Sequence, residues 1–292
     1  MESGANLTGT EPEAVAQAGE HASEAFDPGA SILHHILDAH EIEVPFTQLE
    51  IHLPTLHLPE ALGGLDVSIT KHVVMMWLAS AILLGAFVLA GRRRGEPVPR
   101  GLRNVLEVVI VFLRDEVARK AISHGADRFV GYLMSTFFFI LACNLFGLIP
   151  GAATATGNIS VTASLAVMAF LVIHFGGIRE YGLLGHVKNI VPPGLPLWLV
   201  PIMFVLEVLT TFIRPFALCI RLFANMMAGH IVILAFVSLI FILKQVWWAV
   251  APVSVSFTLF VYTLEVMVAI LQAYIFTMLT AQFIGMSVHP AH

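Results

Sequence analysis

The sequence predicts an all-α membrane protein with about five transmembrane helices and one amphipathic helix at the membrane surface. Of the 292 residues, 58% are hydrophobic and only 12% are charged, whereas a typical soluble domain carries about 25% charged residues. The mean hydropathy of the chain is +0.85. The hydrophobic residues also fall into uncharged runs that are long enough to cross a hydrocarbon core of about 30 Å.

The distribution of charge divides the chain into two parts. Residues 1–70 carry twelve acidic residues and no Lys or Arg, whereas residues 92–128 carry nine of the fifteen basic residues. Because Lys and Arg gather on the cytoplasmic side of membrane proteins, we expect residues 1–70 to be a partly disordered extracytoplasmic segment. Residues 71–292 then form the membrane domain. The pattern indicates membrane orientation and no nucleic-acid partner.

The first two elements of the membrane domain differ in their apolar patterns. Residues 73–90 are uniformly apolar and end at Arg92-Arg93-Arg94, which predicts a spanning helix with a cytoplasmic C-terminal end. In residues 100–122, apolar side chains recur at helical spacing while Arg and Glu lie on another face. This pattern predicts an amphipathic helix that lies on the membrane surface.

Two further runs have the length of a single crossing. Residues 130–149 form one apolar run, which Pro150-Gly151 and a Thr/Gly/Asn-rich loop separate from the next, residues 159–175. Residues 176–196 are polar and rich in Gly and Pro, which predicts a cytoplasmic connection.

The last two apolar stretches, residues 197–243 and 246–286, are too long for a simple crossing. A helix of 47 residues would measure about 70 Å, more than twice the hydrocarbon thickness. Each stretch is therefore either a broken hairpin or one steeply tilted helix. Pro215 or Gly229 could break the first, and Pro252 lies near the start of the second.

Ionisable side chains inside these two stretches are the candidate functional residues, because such groups are costly in a membrane. Glu207, Arg214 and Arg221 are each seven residues apart, so they share one helical stripe, and Asn225 lies one turn beyond Arg221. Arg214 could instead be a structural ion-pair partner of Glu207.

A second set lies on other faces. His230 is nine residues beyond Arg221 and faces away from it if the helix is unbroken, while Glu265 and Gln272, seven apart, share a face of the last helix. A guanidinium stays protonated under biological conditions, whereas Glu and His exchange protons. A fixed cation flanked by titratable groups suits proton handling.

The sequence predicts neither a metal site nor a cofactor. Its two cysteines lie in apolar runs, and the histidines between residues 34 and 72 show no regular ligand spacing. There is no phosphate-binding Gly-rich loop and no nucleophile elbow, so we expect a non-catalytic protein.

Three motifs resemble subunit a of F-type ATP synthases, the ATPase subunit 6 family. Segment 220–230 reads I-R-L-F-A-N-M-M-A-G-H and is similar to the family's arginine signature. Segment 269–279, A-I-L-Q-A-Y-I-F-T-M-L, resembles the family's last helix, and segment 144–162 resembles the loop between its middle helices. The resemblance covers residues 70 to 286.

The resemblance implies a proton-translocating stator channel pressed against a ring of c subunits. Two aqueous half-channels would lead protons to and from the ring carboxylates, and Arg221 would be the essential arginine between them. Gln272 matches the glutamine that faces this arginine, and Glu207 and Asn225 match polar positions along the aqueous paths, where we also place Arg214. Tilted last helices would follow the ring.

The family also implies where the chain works and with what. Its partners would be the c-subunit ring, b-type peripheral stalk subunits, the remaining ATP synthase subunits and the lipid bilayer. We expect a multi-pass protein of the bacterial inner membrane, with its N-terminus outside and its C-terminus in the cytoplasm.

The sequence departs from many bacterial members of the family at two positions. Those members carry Glu directly after the Ala-Gly pair and His seven residues before the glutamine, whereas this chain has His230 and Glu265 in the exchanged arrangement. The exchange predicts that the two side chains touch. We expect them to form the relay of the outer half-channel.

Two other classes of membrane protein compete with this interpretation. A secondary transporter or stand-alone ion channel would also place charges in the membrane, but repeated halves or paired broken helices are not evident in the sequence. A membrane scaffold would leave the ionisable residues of the last two stretches without a role.

Overall fold

A computed structural model describes residues 70–92, 101–149, 154–189, 196 and 198–289, and the backbone of residues 41–43 and 50–52. Within them, the only strands are β1 (Glu41–Glu43) and β2 (Glu50–His52), which pair antiparallel with Ile42 opposite Ile51. Three-residue strands are too short for an alternating pattern to stand out in a sequence. The acidic segment 1–30 and most of the N-terminal histidines lie outside the described residues.

The described part of the membrane domain is helical, which confirms the predicted all-α class. Five of its helices are long and apolar enough to cross a membrane. These spanning helices are α1 (Lys71–Arg92), α4 (Asp127–Gly147), α5 (Ile159–Lys188), α6 (Val200–Ile242) and α7 (Trp247–Val288).

The predicted amphipathic helix is present, although it is not uniform. It begins as α2 (Leu102–Phe112), passes through a π-helical turn (Leu113–Ala118) and ends as α3 (Arg119–Ile122); together these form the amphipathic unit. Asp115 accepts hydrogen bonds from Arg114 at 3.0 Å and from Arg119 at 2.9 Å. Its pKa lies below the usual value, chiefly because of the Arg114 hydrogen bond.

The amphipathic unit packs closely on the last helix. Its buried face includes Leu113, Val117 and Ile122. At Gly285 of α7, a Cβ atom would lie 2.1 Å from the carbonyl oxygen of Ala121. The backbones of α3 and α7 therefore touch at a position where only glycine fits.

Helix α5 continues past residue 175, where the third apolar span was predicted to end, and reaches Lys188. Glycine at position 177 serves close packing within the helix, since a Cβ there would meet His186 Nδ1 at 2.4 Å. The helix kinks at Gly182, whose φ of 70° and ψ of 170° suit a residue without a Cβ. The His174 Nδ1 and His186 Nε2 atoms meet at 3.0 Å across this kink.

Helices α6 and α7 are each continuous, which excludes the hairpin alternative. They contain 43 and 42 residues, with Pro215 and Pro252 inside them, and the 3-10 turn Lys244–Val246 joins them. A helix of 43 residues is about 64 Å long. Because the hydrocarbon core is about 30 Å thick, each must tilt steeply.

The core forms where α4, α5, α6 and α7 meet. Leu133 and Ile140 of α4 belong to it together with Leu222 of α6 and Phe276 of α7, all at most 2% exposed. This packing brings the loop before α5 against the middle of α6 and α7.

Candidate functional site

A file of three polar side chains lies between the loop before α5 and the two long helices. His230 Nδ1 lies 2.9 Å from Glu265 Oε1, and His230 Nε2 lies 2.6 Å from Thr154 Oγ1. The Glu265 side chain is 3% exposed and that of His230 is 18% exposed. The contact predicted from the exchanged His and Glu positions is therefore present.

Two glycines make room for this polar file. A Cβ at Gly229 would lie 2.5 Å from Glu265 Oε1, and a Cβ at Gly147 would lie 2.2 Å from Thr154 Oγ1. Any larger residue would displace the carboxyl or the hydroxyl group. The second residue of the Ala-Gly pair, Gly229, must therefore lack a side chain, because the Glu265 carboxyl group packs against its Cα.

The polar file can hold a proton at several atoms. Both ring nitrogens of His230 have partners, and a hydroxyl such as that of Thr154 can either donate or accept a hydrogen bond. Neutral His230 can therefore donate from Nδ1 to Glu265 and accept from Thr154, while protonated His230 donates to both. Glu265 Oε2 is buried with no hydrogen-bond partner among the described residues, so it is the free end of the file.

A neighbouring polar cluster holds the loop in place. Thr156 donates from Oγ1 to Asn144 Oδ1 at 2.6 Å, and Asn144 donates from Nδ2 to the Ala269 carbonyl oxygen at 3.3 Å. Asn144 and Thr156 are both fully buried, so these hydrogen bonds tie the loop to α4 and α7. Sequence reasoning missed Thr154 and Thr156, although the Thr-rich composition of the loop was visible.

The Glu207–Arg214 ion pair also lies on α6, before Arg221 in the chain, whereas His230 lies after it. Arg214 Nη2 lies 3.8 Å from Glu207 Oε2, with both side chains under a third exposed. The Arg214 guanidinium also lies over the Phe283 ring of α7, 5.1 Å from its centroid. Both contacts are compatible with a structural role and with a polar path.

Arg221 faces outward. Arg221 and Asn225 are exposed, whereas Leu222 and Met226 are buried against the core. Among the described residues, no carboxylate lies within ion-pair distance of Arg221. Gln272 is buried on α7, 5% exposed, and within the described part of the chain no hydrogen bond joins it to Arg221.

The sites are separated along α6. At 1.5 Å per residue, Glu207 lies about 21 Å from Arg221 toward the start of the helix, and His230 lies about 13 Å from it toward the end. The guanidinium therefore lies between two polar groups that do not contact each other within the chain.

Comparisons with known proteins agree with the motifs. A sequence model of the ATP synthase A chain family matches residues 73–285. "ATP synthase subunit a" of Chloroherpeton thalassium is 46% identical over 305 residues, covering 96% of this chain and 89% of the relative. "ATP synthase subunit a 2" of Chlorobaculum tepidum is 46% identical over 280 residues, covering 94% and 77%. The chain therefore belongs to the ATP synthase A chain family.

Proposed function

We propose that this chain is the proton-translocating stator channel of a bacterial F-type ATP synthase. Two half-channels lead protons to and from carboxylates on a rotating ring of c subunits, and Arg221 separates them. The observation that carries the proposal is the exposed Arg221, a permanent cation in an apolar helix that has no carboxylate partner among the described residues.

Physical chemistry favours an anionic partner for this arginine outside the chain. A charged side chain inside a membrane is costly unless it is paired or hydrated. The surface of α6 on either side of it is mostly apolar: Ala217, Ala224 and Ala228, one and two turns from Arg221, are all exposed. An apolar surface with one cation is complementary to a ring of apolar helices that each carry one carboxylate.

The two polar groups on either side of Arg221 suit separate proton paths. The Glu265–His230–Thr154 file serves proton entry from outside, and Glu207 with Arg214 lines the exit path. Asn225 and Gln272 line the space near the arginine. A ring carboxylate crosses lipid in its neutral form and is favoured in its charged form beside the guanidinium. Arg221 thus promotes proton release and blocks a direct leak.

Torque follows from the proton-motive force. Each charge that crosses 100 mV gains about 2.3 kcal/mol.

The chain itself performs no ATP chemistry in this mechanism. Its partners are the other ATP synthase subunits, with the c-ring against α6 and α7 and b-type subunits holding it still. Arg92 at the end of α1 favours a cytoplasmic position there, and this supports our proposal that the N-terminus lies outside and the C-terminus in the cytoplasm.

The decisive experiment replaces Arg221 by Lys in the assembled enzyme in vesicles. Lys keeps a charge but lacks the planar, permanently protonated guanidinium, so we expect proton-driven ATP synthesis to be abolished. Arg92→Lys, the same exchange at the exposed end of another spanning helix, is the control and should leave synthesis unchanged. Near-normal synthesis by Arg221→Lys would overturn the mechanism.

Purification separates the proposal from a stand-alone transporter or channel. A stator channel should co-purify with a c-ring and peripheral ATPase subunits when the chain is captured from mild detergent. A transporter would be recovered without them. Family membership favours the first outcome.

A further inference from the structure

A groove opens at one end of the membrane domain, away from the polar file and from Arg221. It lies between the start of α4, the middle of α5 and the end of α7, and its volume is about 910 Å³. The proposed proton paths use none of its lining residues.

One face of α5 forms the long wall of the groove. This face presents Met168, Leu171, Val172 and Phe175, then Gly176, and ends at Arg179. The intervals of three and four residues place all of them on one side of the helix. Met168, Leu171 and Phe175 are 56%, 40% and 67% exposed, so this wall is open to the surroundings.

The length of the wall matches one leaflet of a bilayer. From Met168 to Arg179 is eleven residues, or about 16 Å of helix, and half of a 30 Å hydrocarbon core is about 15 Å. The apolar part thus matches the depth that an acyl chain reaches, which would bring the charged end to the level of the headgroups.

Gly176 lies at the floor of the groove. A Cβ at this position would lie 3.1 Å from Phe129 Cζ and 3.4 Å from Val288 Cγ2. The absence of a side chain lets α4 and the end of α7 close the bottom of the groove while its outer side remains open.

The polar end of the groove carries net positive charge. Arg128 and Arg179 line it, with His124 and His289 beside them. Arg128 lies 3.6 Å from Glu180, which leaves Arg179 as the cation without an ion-pair partner among the described residues. His289 Nε2 lies 2.9 Å from the His124 carbonyl oxygen, and since a carbonyl only accepts, Nε2 must donate.

We propose that this groove binds an anionic phospholipid, with its phosphate at Arg179 and one acyl chain along Phe175, Leu171 and Met168. Charge complementarity at one end and an apolar wall one leaflet deep select this occupant over a soluble anion. Basic pockets between spanning helices bind anionic headgroups in this manner. The proposal needs only a membrane-spanning chain and does not depend on the proton paths.

The test uses the purified full chain in phosphatidylcholine vesicles with spin-labelled lipids. We expect labelled phosphatidylglycerol to associate more strongly than labelled phosphatidylcholine. Arg179→Gln should weaken the phosphatidylglycerol association about five-fold, the effect of one interfacial cation. Arg179→Lys should retain it, and the control Arg92→Gln, which removes an interfacial arginine elsewhere, should leave it unchanged.

Three results would overturn the proposal. One is an equal association of the two lipids with the wild-type chain. Another is an equal loss in Arg92→Gln, which would indicate general surface potential. The third is displacement of labelled lipid by millimolar glycerol phosphate as effectively as by unlabelled phosphatidylglycerol, which would indicate a site for free anions. Proton-driven synthesis is not measured, so failure of the proposed function leaves this test intact.

Discussion

At the scale of single residues, His230 is the centre of the polar file because both of its ring nitrogens are engaged. It contacts Glu265 on α7 and Thr154 on the loop before α5. The Glu265 carboxylate can accept a hydrogen bond from either form of the ring, and the Thr154 hydroxyl group can donate or accept one. Gly229 and Gly147 leave the space that these contacts need.

An exchange of the acid and the base tests the relay. We expect His230→Glu and Glu265→His each to lower proton-driven ATP synthesis by about tenfold or more, since a lost proton-transfer group costs at least this much. The double variant restores an acid next to a base and should recover part of the activity. If the double variant is no better than the single ones, the pair does not act as a relay.

Two substitutions test the hydroxyl group of Thr154: Val keeps the shape of the side chain without the hydroxyl group, and Ser keeps the hydroxyl group. Thr154→Val leaves His230 Nε2 without its partner, which costs about 1–3 kcal/mol and should slow proton-driven synthesis several-fold. Thr154→Ser retains the hydroxyl and should behave like the wild type. Nitrogen-15 NMR of His230 should show a changed tautomer balance in the Val variant only, and an unchanged spectrum would contradict the assigned contact.

At the scale of elements, the long helices and the amphipathic unit depend on each other. Helices α6 and α7 run side by side as unbroken helices, and α3 rests on the end of α7 at Gly285. The Arg114–Asp115–Arg119 charges lie on the exposed side of the unit, which keeps its apolar side toward the membrane domain.

Replacing Gly285 by Ala tests this contact between elements. The new Cβ would meet the backbone oxygen of Ala121 at 2.1 Å, and a backbone atom cannot rotate away as a side chain can. We expect a loss of about 1–3 kcal/mol, as for other overpacked sites, measured as lower thermal stability and faster hydrogen exchange in residues 113–122. Gly131→Ala in α4, where no atom lies within 4 Å, is the matched control and should change neither quantity.

At the scale of the whole molecule, two polar groups lie at different positions along α6, with Arg221 between them. Glu207 and Arg214 lie toward the start of the helix and His230 toward its end, with Arg221 between them. In the proposed mechanism the carboxylate that pairs with Arg221 lies on another subunit. The groove along the middle of α5 is a separate surface whose exposed chemistry suits lipid.

Whether protons or sodium ions drive ATP synthesis can be measured only in the assembled enzyme. A His/Glu pair suits proton transfer, so we expect ATP synthesis in vesicles to proceed at an unchanged rate when sodium is removed at fixed pH. The measurement compares synthesis with and without sodium over the same imposed proton-motive force. A strict requirement for sodium would contradict the proton relay.

The sequence by itself determined the membrane class, the spanning helices and the position of Arg221 deep within an apolar stretch. These follow from the length of apolar runs and from spacing within one helix, which are local properties. The exchanged His and Glu positions even indicated a contact between residues 35 apart in the chain. The helical continuation of α5 through residues 176–188 was not predicted, because glycines that favour a turn in isolation can also serve close helix packing.

Only the tertiary structure decided how these elements meet. Thr154 joins His230 across 76 residues of chain, and such a contact depends on how α4, α5, α6 and α7 pack. The continuity of α6 through Pro215 was likewise open in the sequence, because neighbouring helices decide whether a proline breaks a helix or is tolerated within it. The groove at Arg179 exists for the same reason: the start of α4, the middle of α5 and the end of α7 must converge before it can form.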